Sequence, residues 1–134
     1  MSALSNYLEN GLITHVLRNT AYTTPGTSVY VGLIKFYETD KLEAGTLTQE
    51  ASGGSYARVQ VTSWDAPSNG ATQNTSDVTF PTSSADWGMV SGVFVADASS
   101  GGNVLLHGTL TSARDVKNGD VFKFNAGDLD ITLA

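Results

Sequence analysis

Short runs of alternating apolar and polar residues, separated by turn-forming residues, constrain the fold of this chain more than any other feature. They begin after residue 27 and read SVYVGLIKFYE, YARVQVTSW, DVTFP, GMVSGVFVA, VLLHGTL and DLDITLA. A period of two places successive side chains on opposite faces of a strand, and the Asn-Gly pairs between runs are typical of tight hairpin turns. The pattern therefore predicts a mainly β fold over residues 28–134, an antiparallel β-sandwich or jelly roll.

The alternation also predicts which side chains face the core. The first run is apolar on both faces, which indicates a strand in the middle of a sheet. In YARVQVTSW, Val59 lies on the buried face of a half-exposed strand, whereas Tyr56 and Arg58 lie on the other face. In GMVSGVFVA, Val93 faces opposite to Phe94.

A single helix is predicted ahead of the strands, over residues 2–19. Ser2 is in a position to cap its first turn, and Gly11 weakens its middle by about 1 kcal/mol relative to alanine. Apolar residues recur every four positions, which forms one face of an amphipathic helix: Leu4, Leu8, Leu12 and Val16, with Tyr7, Ile13 and Leu17 beside them. Such a helix needs a surface to pack on, in its own domain or on a neighbouring protein.

Length and composition predict one soluble domain and exclude several classes of function. The domain spans residues 1–134, with a long polar loop at residues 38–55. The chain has no cysteine, which removes disulfides and thiolate zinc sites. Its formal net charge of −6 disfavours nucleic acid as a partner. No apolar run reaches the roughly 20 residues of a membrane span, and no signal peptide is recognisable, so synthesis in the cytoplasm is expected.

The two histidines are the first candidates for chemistry, and neither has the neighbours that catalysis or metal binding needs. His15 falls on the predicted helix and His107 in a strand, without an i, i+4 or H-x-H partner for a metal. No G-x-S-x-G elbow or phosphate-binding glycine motif occurs, although composition alone leaves a Ser-His-Asp triad open. We predict that the protein is not an enzyme and has no catalytic, cofactor-binding or metal-binding residues.

Four aspartates near the C-terminus raise the question of a calcium site: Asp115, Asp120, Asp128 and Asp130. Calcium takes about six to eight oxygen ligands, and GDLDITLA lacks the spacing of an EF-hand loop, which leaves at most one weak ion site. The stretch NAGDLDITLA instead predicts a turn followed by the last strand. On that strand Leu129, Ile131 and Leu133 face the core, and the two last aspartates face water.

Trp64 and Trp87 lie at strand ends and have two interpretations. The one we favour is that they close the ends of the sandwich. The other is that exposed indole rings stack on sugars or anchor a protein interface.

Several stretches together resemble a family of small virion proteins of tailed bacteriophages: LSNYLENGLITHVLRNTAYTTPGTSVYVGLI, GGSYARVQV, NTSDVTFPTSSADWGMVSGVFVADASSGGNVLLHGTL and NGDVFKFNAGDLDITL. The resemblance covers most of the chain and leaves mainly residues 38–52. Members are labelled tail fibre protein or capsid decoration (cement) protein, and the motifs carry no catalysis. The resemblance implies a structural β-sandwich located in the virion.

Within that resemblance we favour a decoration protein that binds the outside of the phage head and stabilises it. A fibre needs length from heptads or β-helical repeats, and this chain has neither. The expected partners are the major capsid protein and copies of the chain itself, contacted through the N-terminal helix and residues 38–55, without nucleic acid or membrane. The alternatives are a tail-associated fibre, adaptor or carbohydrate-binding receptor module, and a virion enzyme such as a depolymerase.

Overall fold

Antiparallel strands make up most of the regular structure, and the predicted mainly β fold with an N-terminal helix is confirmed. The computed structural model describes residues 3–133. In chain order the elements are β1 (Ala3–Leu4), α1 (Asn6–Leu17), β2 (Tyr30–Ile34), α2 (Thr39–Glu43), β3 (Val59–Gln60), β4 (Ala71–Gln73), β5 (Val78–Thr79), β6 (Gly88–Ala96), β7 (Val104–Val116), β8 (Lys123–Phe124) and β9 (Asp130–Thr132).

The largest sheet has five strands in the order β1-β7-β6-β2-β3, and every pair in it is antiparallel. β2 lies inside this sheet and is largely buried, as its apolar composition predicts. Two short antiparallel pairs, β4 with β9 and β5 with β8, lie outside this sheet, and Val78 of β5 and Phe124 of β8 belong to the core on one of its faces. The second layer is therefore divided into two pairs, and the jelly-roll connectivity stays a prediction.

The hydrophobic core lies on both faces of the five-stranded sheet. On one face Val93 and Val95 belong to the same cluster as Phe124 of β8 and Leu129, which directly precedes β9. On the other face Phe94 packs with Ile34 and with Leu42 of α2. The alternation in β6 predicted this opposite placement, and the period of two in its sequence is sufficient to explain it.

The N-terminal helix is shorter than the predicted range 2–19 and begins at Asn6. Its cap is Ser5, whose Oγ accepts a hydrogen bond from the Leu8 N–H at 3.3 Å, whereas the predicted cap, Ser2, lies outside the described residues. The residues just before Ser5 form β1 and pair with β7. Backbone pairing with a neighbouring strand has therefore replaced the first helical turn.

Among the described residues, neither helix has the length and apolar composition that a membrane span requires.

The segment 56–64 differs from its prediction. Only Val59–Gln60 pairs as a strand, with β2, and Tyr56 packs against the core. Arg58, predicted on the exposed face, is only 9% exposed. A charged side chain is stable in such a place only when it is paired and hydrogen-bonded, and the carboxylate of Glu50 provides that partner.

Residues 38–55 pack against the sheet more closely than the long loop predicted from the sequence would. They contain α2, whose Leu42 is buried, and they continue to Ala51, which is also buried. The Ala51 N–H donates to the carbonyl oxygen of Leu33 at 2.9 Å. The segment therefore lies along β2 and covers part of the sheet.

β7 is longer than the run VLLHGTL predicts, and one part of it leaves the ladder with β6. Val90 of β6 pairs with Arg114, and Gly92 pairs with Thr109. Residues 110–113 therefore have a single residue of β6 opposite them. Such an offset is an enlarged β-bulge, which bends the strand and interrupts its hydrogen-bonding edge.

The C-terminal stretch forms the predicted turn and strand, with one difference at its end. The Asn125 N–H donates to Asp128 Oδ2 at 2.8 Å, and the Asp128 N–H donates to the Asn125 carbonyl at 3.0 Å. Leu129 is buried and Ile131 half-buried, as predicted, but Leu133 is 46% exposed. The predicted core face therefore ends before Leu133, although the Leu133 N–H still donates to the Gly70 carbonyl at 2.7 Å.

Candidate functional site

Helix α1 leaves several apolar side chains in water. Val16 is 72% and Leu17 77% exposed, and Ile13 is 54% exposed; we call these three residues the α1 patch. Leu8, in the first half of the same helix, packs against the core. The apolar residues predicted from the sequence are therefore only partly used inside the domain. Neighbouring exposed apolar side chains mark surfaces that bind another molecule more often than isolated ones do.

The α1 patch is held in position by contacts at both ends of the helix. At its start, Ser5 Oγ hydrogen-bonds the carbonyl oxygen of Val104 in β7. Near its end, His15 Nδ1 accepts a hydrogen bond from the Tyr22 N–H at 3.2 Å. Gly11 leaves room for the returning chain, since a Cβ there would lie 2.8 Å from Tyr22 Cδ2. His15 thus supports the loop that follows the helix.

His107 is buried, and its side chain links β7 to the segment that leads into α2. It is 2% exposed, and its Nδ1 lies 2.6 Å from the hydroxyl oxygen of Tyr37. Its Nε2 has no hydrogen-bond partner within the described chain. Burial lowers the pKa of His107 below its usual 6.5, against the opposing effect of Glu43 and Glu9. No serine or carboxylate oxygen of the described residues bonds to this ring, so the catalytic triad that the sequence left open is not assembled.

Arg58 joins three segments of the chain through its guanidinium group. Its Nε and Nη2 donate to the two carboxylate oxygens of Glu50 at 2.8 and 2.9 Å. Its Nη1 donates to the carbonyl oxygens of Ala98 and Gly101 at 2.7 and 2.9 Å. The Tyr56 hydroxyl donates to Glu50 at 2.8 Å. We call Arg58, Glu50 and Tyr56 the Arg58 clamp.

The charges of the Arg58 clamp are satisfied within the clamp itself. Burial, followed by the negative charge of Glu50, raises the pKa of the Tyr56 hydroxyl well above its usual 10.0. The hydrogen bond to Glu50 raises the pKa of Arg58 above its usual value. Both groups therefore stay protonated near neutral pH, and neither is available as a proton acceptor. The clamp fastens the residues after α2 to the turn between β6 and β7.

The two tryptophans have different surroundings. Trp87 is 3% exposed, its Nε1 donates to the Gly54 carbonyl at 2.8 Å, and the Tyr56 ring meets it edge-on. Trp64 is half-buried and packs against the same core. The interpretation that these residues close the core fits both side chains. Because the Trp87 ring is buried, it has no free face on which a sugar could stack.

The C-terminal aspartates hold turns and ion pairs. Asp120 Oδ2 accepts a hydrogen bond from the Lys117 N–H at 2.9 Å, and Asp115 forms an ion pair with the Lys117 side chain at 3.0 Å. Asp128 and Asp130 are exposed, as predicted. Within the described part of the chain, no group of three or more His, Asp or Glu side chains is arranged to hold a metal ion.

Comparison with known proteins places this fold in a viral context. The chain matches, over residues 3–132, the protein-family model described as Podophage GP4 fiber I protein gp80. The matched range runs from β1 to β9 and includes the α1 patch, His107 and the Arg58 clamp. No curated protein matches the chain.

Proposed function

Because this chain belongs to the family of the podophage GP4 fiber I protein gp80, a family of structural proteins in tailed-phage virions, we propose that it is a non-catalytic building block that attaches to its neighbours through the α1 patch. The structural role in the virion follows from the family. The attachment through α1 rests on one observation, the exposure of Ile13, Val16 and Leu17.

The size of the α1 patch indicates how it would be used. Burying a valine or leucine side chain completely contributes about 1.5–3 kcal/mol, so three partly exposed side chains offer roughly 3–6 kcal/mol. Association costs at least about 4 kcal/mol in lost freedom of motion. The patch alone therefore supports a weak contact between two molecules. A particle that repeats the contact many times, or adds a second contact to it, converts this weak affinity into stable attachment.

The absence of catalysis is part of the proposal, and the described polar groups support it. Among these groups, the His107 side chain bonds only to Tyr37, and Arg58 donates to a carboxylate and two carbonyl groups. Hydrolytic mechanisms need a nucleophile or paired carboxylates beside a proton acceptor that the substrate can reach. Both clusters are instead buried and occupied by structural contacts.

Two positions on the particle fit such a building block. A decoration on the outside of the head is favoured by the short chain, which lacks heptads and repeats, and by the net charge of −6, which suits a place away from packaged DNA. Its partners there would be the major capsid protein and copies of itself. A tail-associated fibre or adaptor is favoured by the family description, which names a fibre protein of a podophage.

The copy number per virion separates the two positions. Electron cryomicroscopy of the whole particle, supported by quantitative mass spectrometry, would locate and count the protein. Many copies distributed over the shell would support decoration of the head. A few copies at one vertex would support the fibre or adaptor and would contradict the decoration.

Attachment through α1 is tested by placing a charged side chain in the α1 patch. We expect Val16→Asp to reduce rebinding to particles that lack the protein by at least about tenfold, since a charge would be buried without a partner. Val121→Asp is the matched control, because Val121 is also an exposed valine, at 54%, and lies far from α1 in the sequence. If Val16→Asp and Val121→Asp both fold and both bind with wild-type affinity, attachment through the α1 patch is contradicted.

A further inference from the structure

We propose that His107 couples the pH of the surroundings to the attachment of α1 and α2 on the sheet, so that acid loosens the part of the protein that carries the α1 patch. This inference depends on the proposed function in one respect, the role of the α1 patch in attachment. The response to pH itself is a property of the free protein.

The backbone around His107 is where α1 is fastened to the sheet. Ala3 of β1 is paired with His107 of β7. Two residues later, the Ser5 N–H donates to the Leu105 carbonyl at 2.9 Å, and α1 begins directly afterwards. Helix α1 therefore depends for its position on the stretch of β7 that contains His107.

The side chain of His107 fastens a second segment. Its Nδ1 bonds to the Tyr37 hydroxyl, and Tyr37 lies between β2 and α2. The Tyr37 N–H in turn donates to Ser91 Oγ of β6 at 3.1 Å. A disturbance at the His107 ring would therefore reach α2 through Tyr37 and α1 through β1.

The hydrogen bonding of the ring fits the neutral imidazole better than the charged one. A neutral imidazole has one donor and one acceptor, and a protonated one has two donors. Tyr37 Oη can accept one of these donors, but Nε2 has no partner among the described residues. In the tautomer that carries its hydrogen on Nδ1, protonation adds an N–H at Nε2 that has no partner, and in either tautomer it places a positive charge in a site that is 2% exposed. Burying an unpaired donor or an unpaired charge is costly.

The charged groups around the ring reduce this cost without removing it. Glu9 from α1 and Glu43 from α2 favour the charged ring, but burial has the larger effect and keeps the pKa below 6.5. Tyr37 is neutral, since burial raises the pKa of its hydroxyl. Phe94 of β6 is paired with His107 of β7, and Arg58 lies behind it, with its guanidinium carbon 4.9 Å from the centroid of the Phe94 ring. The charge of Arg58 is neutralised by its carboxylate partner, Glu50.

The direction of the pH effect follows from the lowered pKa. When the segment detaches or unfolds, His107 returns to its usual pKa of 6.5 and binds a proton more readily than in the packed state. The stabilisation from the neutral ring is therefore complete above pH 6.5, and it is lost as the pH falls from 6.5 to the lower pKa of the packed state. Between these two values, each pH unit lowers the equilibrium constant for the packed state by up to about tenfold.

Nuclear magnetic resonance on the free protein tests the proposal. Titration of the His107 ring signals should give a pKa below 6.5. Hydrogen-exchange protection factors of the Ser5 and Tyr37 amides should fall by up to about tenfold between about pH 6.5 and about pH 5.5.

The variant His107→Gln supplies the matched comparison, because glutamine keeps polar atoms at the site and cannot be protonated. Its protection factors should change less than about twofold over the same pH interval. A pKa at or above 6.5 in the wild-type protein, or equal acid sensitivity in wild type and variant, would overturn the proposal. If His107→Gln does not fold, the pKa of His107 measured in the wild-type protein decides whether the proposal stands. No particle is present in these measurements, so their failure would leave the result of the Val16→Asp binding experiment unaffected.

Discussion

The Arg58 clamp predicts that loss of one carboxylate charge will destabilise the protein far more than loss of an exposed one. Glu50→Gln keeps the size of the side chain and an acceptor for the Tyr56 hydroxyl, but it removes the charge that faces Arg58. The Arg58 side chain is 2% exposed and that of Glu50 is 19% exposed. The guanidinium would then remain buried with only carbonyl groups as partners.

The expected loss follows from this burial. Breaking a buried ion pair by removing one partner costs about 3–5 kcal/mol. Because Glu50 is partly reached by water, we expect the lower end, about 3 kcal/mol. For a chain of this length each kilocalorie corresponds to roughly 3–5 °C, so the melting temperature should fall by about 10–15 °C.

Equilibrium unfolding in denaturant, with and without the substitution, measures this free energy directly. The control is Glu38→Gln, which removes the ion pair between Glu38 and Lys41, whose side chains are 31% and 48% exposed. Exposed pairs contribute about 0–1 kcal/mol. A loss for Glu50→Gln no larger than for this control would refute the assignment of Arg58 as a buried charge that depends on Glu50. The double variant Arg58→Met with Glu50→Gln should recover much of the loss, because no unpaired charge remains.

Two further outcomes are expected. Gly32→Ala should lower the free energy of unfolding by about 1–3 kcal/mol, because its Cβ would lie 2.3 Å from Phe94 Cζ inside the core; equilibrium unfolding in denaturant measures this, and an unchanged free energy would contradict the clash. Removal of divalent metal with a chelator should leave the melting temperature unchanged, because Asp120 and Asp128 accept hydrogen bonds from backbone N–H groups and Asp115 is paired with Lys117; a fall of several degrees that calcium reverses would reveal an ion site.

The features that the sequence predicted well depend on neighbours along the chain. The bounds of β6 match the quoted run GMVSGVFVA, because a strand buried on both faces has a distinct apolar composition. The Asn-Gly turn at Asn69 and Gly70 also formed, with φ of 54° and 75°, which matches the positive φ values that this pair adopts in hairpins. The C-terminal turn and the exposure of Asp128 and Asp130 belong to the same group.

The features that the sequence did not predict depend on contacts between segments that are far apart in the chain. Arg58 looked exposed because its partner Glu50 lies in a polar stretch that the alternation does not describe. Leu4 looked helical by its spacing, yet it pairs with Leu106 in β7. The exposure of Val16 and Leu17 was not predictable either, since an amphipathic pattern shows that a helix has an apolar face without showing which molecule covers it.

The offset in β7 bears on how this strand could pair with other copies of the protein. Within the described residues, β1 pairs with the outer edge of β7 at Leu106 and His107, and the Ser5 N–H extends this contact to Leu105. An edge that stays unpaired along a long strand is open to pairing with another chain. A straight edge of this kind would allow crowded copies to join into a continuous sheet before assembly is complete. The bend at residues 110–113 breaks the edge into short pieces, which keeps each copy a separate unit. Shortening this segment should therefore lower the solubility of the free protein, and unchanged solubility would show that the bend has no such role.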